Sequence, residues 1–126
     1  MKRTLAILTL LIIASLSTQA QLDIHNRTDC NYYYQVKILD QACGLVAAPG
    51  GVINPCSDVT VNMGGNSRYE IRVSLNGATW STYTGIGCNT GCMVAPTCPY
   101  NSPTYVLPDE IDVYITYDSC ADQPCN

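Results

Sequence analysis

The sequence predicts an all-β fold, a single antiparallel β-sandwich or small barrel stapled by disulfides. Short segments alternate apolar and polar residues with a period of two, which is typical of half-buried strands, and no amphipathic helix of useful length is evident. Six or seven such segments, separated by turn residues, favour a sandwich or barrel. Eight cysteines follow an apolar N-terminal segment, a pattern that indicates disulfides in an exported protein.

Residues 1–20 are predicted to be a signal peptide. Lys2 and Arg3 precede a short apolar run, and Ala20 supplies the small residue expected at a cleavage point. The run is too short to span a bilayer comfortably, which disfavours a membrane anchor. The sequence therefore predicts one secreted domain, residues 21–126, in the extracellular or periplasmic space. Four basic and ten acidic residues remain after cleavage, a net charge of −6 that disfavours nucleic acid as a partner.

The central predicted strand runs from residue 32 to residue 39. Tyr32, Tyr34, Val36 and Ile38 share one face, and their aromatic and β-branched side chains suit a pleated, half-buried surface. The strand spans more than about 20 Å, whereas the Cα atoms of a disulfide lie within about 7 Å. The cysteines beyond its two ends, at positions 30 and 43, therefore cannot pair with each other, and each end should be tied to a different part of the chain.

All eight cysteines are predicted to form disulfides: Cys30, Cys43, Cys56, Cys88, Cys92, Cys98, Cys120 and Cys125. We favour a Cys43–Cys56 pair, because the residues between them are rich in turn formers. If the central and last strands are antiparallel neighbours, Cys30 should pair with Cys120 or Cys125. Zinc ligation is disfavoured by export, by the lack of a CxxC pair and by the single distant histidine, so no metal or other cofactor is expected.

The other predicted strands cover residues 22–26, 57–63, 68–75, 78–84, 104–107 and 110–118. Asn76-Gly77 predicts a hairpin turn, because both central residues of that turn need positive φ. In the last strand, Ile111, Val113, Ile115 and Tyr117 are expected to face inward. Residues 85–103 hold three glycines, three prolines and three cysteines without a regular period, which predicts a long loop pinned by disulfides.

Enzymatic function is not predicted. A serine–histidine triad would depend on His25, the only histidine, and no G-x-S-x-G motif is present. Asp109, Glu110 and Asp112 crowd together, and paired carboxylates can hydrolyse glycosides. A secreted hydrolase that uses this acidic cluster is therefore the alternative, although a solvated edge also explains the cluster.

The aromatic composition favours a binding module. The chain has nine tyrosines, one tryptophan and no phenylalanine, and Tyr and Trp suit surfaces that are half apolar and half wet. Trp80 and Tyr83 have opposite strand parity, so one of them should be buried and the other should project outward. The predicted binding patch, for an extracellular protein or glycan, comprises Trp80, Tyr83, Asn89, Thr90 and Met93. A structural or inhibitory protein that acts through residues 85–103 is a third possibility.

Several short motifs give the chain a recognisable layout. Asn26-Arg27-Thr28 also fits the N-glycosylation pattern, although chance matches are common. Asn26, Thr28 and Cys30 precede a predicted strand, and the pairs Pro55-Cys56, Gly87-Cys88 and Gly91-Cys92 follow along the chain. With these motifs and its signal peptide, the chain resembles the small cysteine-rich secreted proteins of unknown function found in bacteria of the Bacteroidetes type. It implies export and no assigned activity or site.

Overall fold

The computed structural model describes residues 20–98 and 103–117. The predicted signal peptide up to residue 19 and the last two cysteines, Cys120 and Cys125, lie outside these ranges. Within them, no helix is long and apolar enough to cross a membrane. The described chain forms ten strands: β1 (Ala20–Asn26), β2 (Tyr32–Leu39), β3 (Leu45–Ala47), β4 (Gly50–Ile53), β5 (Ser57–Gly64), β6 (Arg68–Ser74), β7 (Thr84–Ile86), β8 (Met93–Ala95), β9 (Thr104–Asp109) and β10 (Asp112–Tyr117).

The strands form two five-stranded sheets, which confirms the predicted all-β sandwich. Sheet A has the order β5-β1-β10-β9-β8, and sheet B has the order β3-β2-β6-β7 with β4 also paired to β2. β1 and β10 run parallel, while the other strand pairs are antiparallel. The central and last strands are not neighbours, because β2 lies in sheet B and β10 lies between β1 and β9 in sheet A.

The core lies between the sheets and takes side chains from both. The predicted inward face of β2 is confirmed, since all four of its side chains are buried. Fully buried aliphatic residues from β1, β6, β9 and β10 pack in the same cluster, including Leu22, Ile24, Ile71, Val73, Val106, Val113 and Ile115. The period-two alternation therefore identified the faces of the longer strands correctly.

Two disulfides secure the ends of β2. Cys30 pairs with Cys98 and Cys43 pairs with Cys88, with Cα–Cα distances of 5.9 Å and 6.0 Å. The prediction that the two ends are tied to different parts of the chain is confirmed. The pairing of Cys30 with Cys120 or Cys125 is wrong, because β10 does not neighbour β2.

The predicted Cys43–Cys56 pair is also wrong. The residues between these cysteines do not close on themselves, but form β3 and β4, which both lie along β2. Leu45 pairs with Leu39 at one end of β2, and Ile53 pairs with Tyr32 at the other. The two cysteines are thereby held at opposite ends of the strand. Cys56 and Cys92 are disulfide-bonded as well.

The predicted strand 78–84 is mostly wrong, because the chain leaves sheet B after Ser74 and rejoins it at β7. At the turn, the Oδ1 atom of Asn76 accepts the backbone N–H groups of Ala78 and Thr79, at 2.9 Å and 2.8 Å. Gly77 has a φ of 75°, but Asn76 does not have positive φ, so the two-residue hairpin turn does not form. Side-chain hydrogen bonding by asparagine has replaced it.

Three further predictions need correction near β9, β10 and the cysteine-rich loop. Residues 85–103 are not without regular structure, because they include part of β7 and all of β8. Pro108 does not end β9, because it pairs with Val113 of β10. Proline has no N–H group to donate. None is needed on the other side of β9 at this position, since β8 pairs with β9 only as far as Val106. Ile111 does not face the core. It lies in the β9–β10 turn and is 53% exposed.

We expect Gly85→Ala to break the pairing of β6 with β7. A Cβ atom at Gly85 would lie 1.8 Å from the backbone oxygen of Tyr69. β6 and β7 must separate to make room for this atom. Overpacking typically costs about 1–3 kcal/mol, and we expect the free energy of unfolding to fall by about 3 kcal/mol or more. Urea denaturation of the oxidised protein measures this.

The matched control is Gly65→Ala, where no atom lies within 4 Å of the added Cβ and φ is not positive. This variant should change stability by less than about 1 kcal/mol, in the stabilising direction, because alanine restricts the unfolded chain. Equal stability of the two variants would contradict the close approach of β7 to β6.

Tyr69 provides a prediction on pH dependence. Its ring is fully buried, and its hydroxyl has no hydrogen-bond partner within the described chain. Burial, with smaller contributions from Asp109 and Asp112, raises its pKa well above the usual 10.0. The folded state therefore favours the protonated phenol, and its contribution to stability is complete below pH 10 and lost as the pH rises above 10.

Tyr69→Phe should consequently unfold at a urea concentration no lower than the wild type at pH 7. Above pH 10 it should lose less stability than the wild type, because the substituted ring carries no proton to release. Urea titrations of both proteins at pH 7 and pH 10.5 make the comparison. An identical alkaline loss in the two proteins would refute the assignment.

Candidate functional site

The outward side of sheet B carries the most concentrated set of polar and aromatic side chains near a groove. β2 and β6 pair so that Gln35 lies opposite Arg72 and Lys37 lies opposite Glu70. Their neighbours along each strand are buried in the core, so these side chains project to the other side of the sheet. This direction follows from the period-two alternation of both strands.

The segment that follows the Asn76 turn places two rings over these side chains. The guanidinium carbon of Arg72 lies 4.5 Å from the Trp80 ring centroid and 5.0 Å from the Tyr83 ring centroid. On the other side of Tyr83, the Nζ atom of Lys37 lies 4.0 Å from the ring centroid. Two cations and two rings thus alternate in a row, at distances typical of cation–π attraction. We call Gln35, Lys37, Arg72, Trp80 and Tyr83 the cation–aromatic face.

Gln35 fixes the orientation of this row. Its Oε1 atom accepts a hydrogen bond from Nε of Arg72 at 3.0 Å and a second from Nη2 of the same guanidinium. It also accepts the hydroxyl of Tyr83 at 3.2 Å. One amide oxygen therefore holds the plane of the guanidinium and the position of the neighbouring ring, so the face is organised before any ligand arrives.

An open groove of about 520 Å³ adjoins the cation–aromatic face. Trp80, Arg72 and Gln35 line it together with Tyr33 and the β4 segment. Gly51 leaves room for the ring of Tyr34, its register partner on β2, since a Cβ atom there would lie 3.0 Å from the Oη atom of Tyr34. The groove combines ring faces, one guanidinium, one amide and exposed backbone, which is the usual mixture of a binding site with a few oriented polar groups.

The predicted binding patch is distributed around this site. Trp80 and Tyr83 are both partly buried, so the expectation of one buried and one outward ring fails, because no regular strand connects them. Asn89 is exposed and donates through Nδ2 to the backbone oxygen of Tyr83 at 2.7 Å. Thr90 is exposed beside Gly85, and Met93 lies on β8 with its sulfur 3.8 Å from the Thr82 hydroxyl. These last three residues lie outside the groove lining.

Gln35, Lys37 and Arg72 were not among the residues predicted to form the binding patch. The alternation along β2 and β6 in the sequence places all three side chains on the outward face. Lys and Arg are also scarce in this acidic chain, which is a second signal in the sequence. What was not visible was that the segment containing Trp80 and Tyr83 crosses over β6. That crossing depends on the asparagine turn and not on strand periodicity.

A second polar cluster lies on the outward side of sheet A. The two ring nitrogens of His25 lie 2.6 Å from Asp58 and 2.8 Å from Asp112, and its ring stacks on Tyr114 with centroids 4.7 Å apart. Arg27 is 3.4 Å from the same Asp58 oxygen. The two carboxylates lie on opposite sides of the imidazole, so they do not converge with it on one point. Among the described residues, no group of three His, Cys, Asp or Glu side chains could hold a metal ion.

The acidic cluster of the hydrolase alternative is split by this arrangement. Asp112 is bound to His25 on β10, whereas Asp109 and Glu110 are exposed at the end of β9 and in the following turn. Glu110 has a φ of 48°, an uncommon backbone conformation that the turn imposes. Asp109 and Asp112 are register partners at the end of the hairpin.

The N-glycosylation pattern at Asn26 is a structural motif in this fold. The side chain is 0% exposed, and its Nδ2 atom donates to the backbone oxygens of Cys30, Asn54 and Ile53 at 2.7 Å, 3.0 Å and 3.3 Å. Its Oδ1 atom accepts the N–H and hydroxyl of Thr28. A glycan would replace one hydrogen of Nδ2 and would need space beside a fully buried side chain, so the folded protein has no room for one.

No protein-family model, curated protein or solved structure matches the chain. The resemblance to Bacteroidetes-type secreted proteins stays a prediction.

We expect Asn26→Asp to destabilise the domain severely. The substitution replaces three donated hydrogen bonds with a carboxylate oxygen that faces three carbonyl oxygens. An uncompensated buried charge costs about 3–5 kcal/mol, a large part of the roughly 5–15 kcal/mol that stabilises a domain. Urea denaturation of the oxidised protein, without added reductant, measures the fall in the free energy of unfolding.

Asn54→Asp is the matched control, because Asn54 is exposed and contributes only its backbone oxygen to the network. A surface change of this kind should alter stability by less than about 0.5 kcal/mol. If the two aspartate variants were equally stable, Asn26 would not have the structural role assigned to it.

Proposed function

We propose that the protein is a non-enzymatic extracellular binding module that uses the cation–aromatic face and the adjoining groove to hold an extracellular protein or glycan. One observation carries the proposal. Lys37 and Arg72 are packed against rings, and neither has a carboxylate within ion-pair distance in the described part of the chain, where all ion pairs lie on sheet A. Cations arranged beside aromatic rings in this way are available to a ligand.

Pre-organisation supports a binding role. Gln35 orients Arg72 and Tyr83 through hydrogen bonds, and the two rings restrict the guanidinium. Fewer side chains must then be ordered when a ligand binds, which lowers the entropic cost of binding. Tryptophan, tyrosine and arginine are also the residues that most often dominate binding energy.

The cellular context fits the same proposal. The intramolecular disulfides indicate an oxidising environment, extracellular or periplasmic. Together with the predicted signal peptide, they support export to a place where the face meets ligands outside the cell.

The two alternatives draw less support from the geometry. A hydrolase would need a protected carboxylic acid to protonate a leaving group, yet Asp109 and Glu110 are exposed and Asp112 is bound to His25. An inhibitor acting through residues 85–103 would need a projecting loop, whereas β7 and β8 incorporate parts of that segment into the two sheets.

Trp80→Ala should weaken partner binding without unfolding the domain. The ring lies outside the buried core cluster and forms a wall of the groove. A tryptophan anchor contributes about 2 kcal/mol or more, so affinity should fall about thirtyfold. Immobilised wild type and variant, incubated with material from the native surroundings, should retain different sets of partners.

Val94→Ala is the control, because Val94 is an exposed apolar residue on β8 of the other sheet. It should retain the wild-type set of partners. Trp80 is the only tryptophan, so acrylamide quenching of the wild type reports its accessibility directly. Unquenchable fluorescence, or an unfolded Trp80→Ala protein, would place the ring in the core and remove it from the site.

A further inference from the structure

We propose that the ligand of the cation–aromatic face is an acidic polysaccharide, a polymer of sugars that bear carboxylates. This inference rests on the proposed function and names its substrate class. It draws on three features of the described chain: the distribution of charge between the two sheets, the chemistry of the groove wall and the row of outward side chains along β2.

Charge is segregated between the two sides of the sandwich. The described chain has four Lys and Arg residues, of which Lys37, Arg68 and Arg72 lie on sheet B and Arg27 directly follows β1 of sheet A, 3.4 Å from Asp58. The outward side of sheet A carries Asp23, Asp58 and Asp112, which bond to Thr60, His25 and Arg27. Opposite Lys37 in register is Glu70, yet no oxygen of Glu70 is within ion-pair distance of it. An anionic ligand is therefore attracted to sheet B and repelled by sheet A.

The groove wall suits a sugar. Trp80 and Tyr33 present ring surface, and the apolar face of a pyranose can pack on such rings while its hydroxyls point to polar groups. Gln35 and the backbone of Gly50 and Gly51 line the same groove and can pair with hydroxyls. Arg72 lies between the ring of Trp80 and the amide of Gln35, where its guanidinium can meet a carboxylate.

The shape favours a polymer over a small molecule. Tyr33, Gln35 and Lys37 project from alternate positions of β2, a row of about 13 Å at about 3.3 Å per residue. The groove opens to solvent and Lys37 lies beyond the residues that line it, so a chain of several sugars can reach more of the face than a small molecule in the groove can. Nucleic acid is less suitable, because its tight binding requires many phosphate contacts and this face offers two cations.

The test compares polygalacturonate with its methyl ester, which has the same sugar backbone but carries methyl ester groups in place of the charged carboxylates. Titration calorimetry of the oxidised protein should show binding to the acid form at least about tenfold tighter than to the ester. Raising NaCl from about 0.05 M to about 0.5 M should lower the affinity for the acid form more than the affinity for the ester, because salt screens charge attraction. Equal affinity for the two polymers, or no binding of either one, would overturn the acidic-polysaccharide assignment.

Charge-matched variants locate the contact. One positive charge is removed by each of three substitutions, Lys37→Gln, Arg72→Gln and Arg27→Gln. Arg27 lies away from the face, directly after β1 of sheet A. The first two should weaken binding to polygalacturonate about tenfold, and Arg27→Gln should change it less than about twofold. Lys37→Gln leaves the hydrogen bonds of Gln35 in place, so it tests the inference even if Arg72→Gln disturbs the fold. Equal effects of Lys37→Gln and Arg27→Gln would overturn the assignment.

Trp80→Ala separates failure of this inference from failure of the proposed function. If wild-type protein captures a protein partner that Trp80→Ala loses, while neither polymer binds, the face is a binding site and the acidic polysaccharide is wrong. If polygalacturonate binds wild type and Trp80→Ala equally, the groove is not the site and the proposed function fails with it. Loss of polygalacturonate binding in Trp80→Ala, with retained disulfides and cooperative unfolding, supports both.

Discussion

The fold depends on the buried side chain of Asn26, where β1 ends and the chain crosses to sheet B. Its Nδ2 atom donates to Cys30 on the crossing segment and to Ile53 and Asn54 at the end of β4. Its Oδ1 atom accepts from Thr28, so both polar atoms are satisfied without water. A buried amide of this kind is stable only when all its partners are in place, which makes the arrangement specific.

The position of the groove follows from that network. By holding the end of β4, Asn26 fixes the strand that pairs with the first half of β2 and carries Gly50 and Gly51. The Cys30–Cys98 disulfide begins at one of its acceptors and connects the crossing to the segment after β8. Tyr117 secures the same corner, since its hydroxyl accepts the backbone N–H of Asp29 at 2.7 Å. The groove therefore lies near a corner of the fold that is held by one disulfide and by several hydrogen bonds.

Sequence periodicity predicted the strands whose two faces differ most. β2, β5 and β6 alternate clearly, because one face packs in the core and the other meets water, and Ile71 and Val73 show this directly. Disulfide pairing was not predictable in the same way, because Cys43 and Cys88 meet only once β3, β2, β6 and β7 are assembled. The site was half predictable: Trp80 and Tyr83 stood out by type. Their meeting with Arg72 depends on a turn whose geometry comes from the Asn76 side chain.

The parallel pairing of β1 with β10 bears on how the chain is made. Ile24 pairs with Val113, 89 residues later in the sequence. During synthesis the ribosome releases β1 early, and β5 can occupy one of its edges, but the other edge stays open until the last described strand emerges. Such long-range pairing slows folding and exposes an unpaired edge to neighbouring nascent chains. The incomplete polypeptide is thus prone to misassembly until β10 is available, and a chaperone would be most effective during that interval.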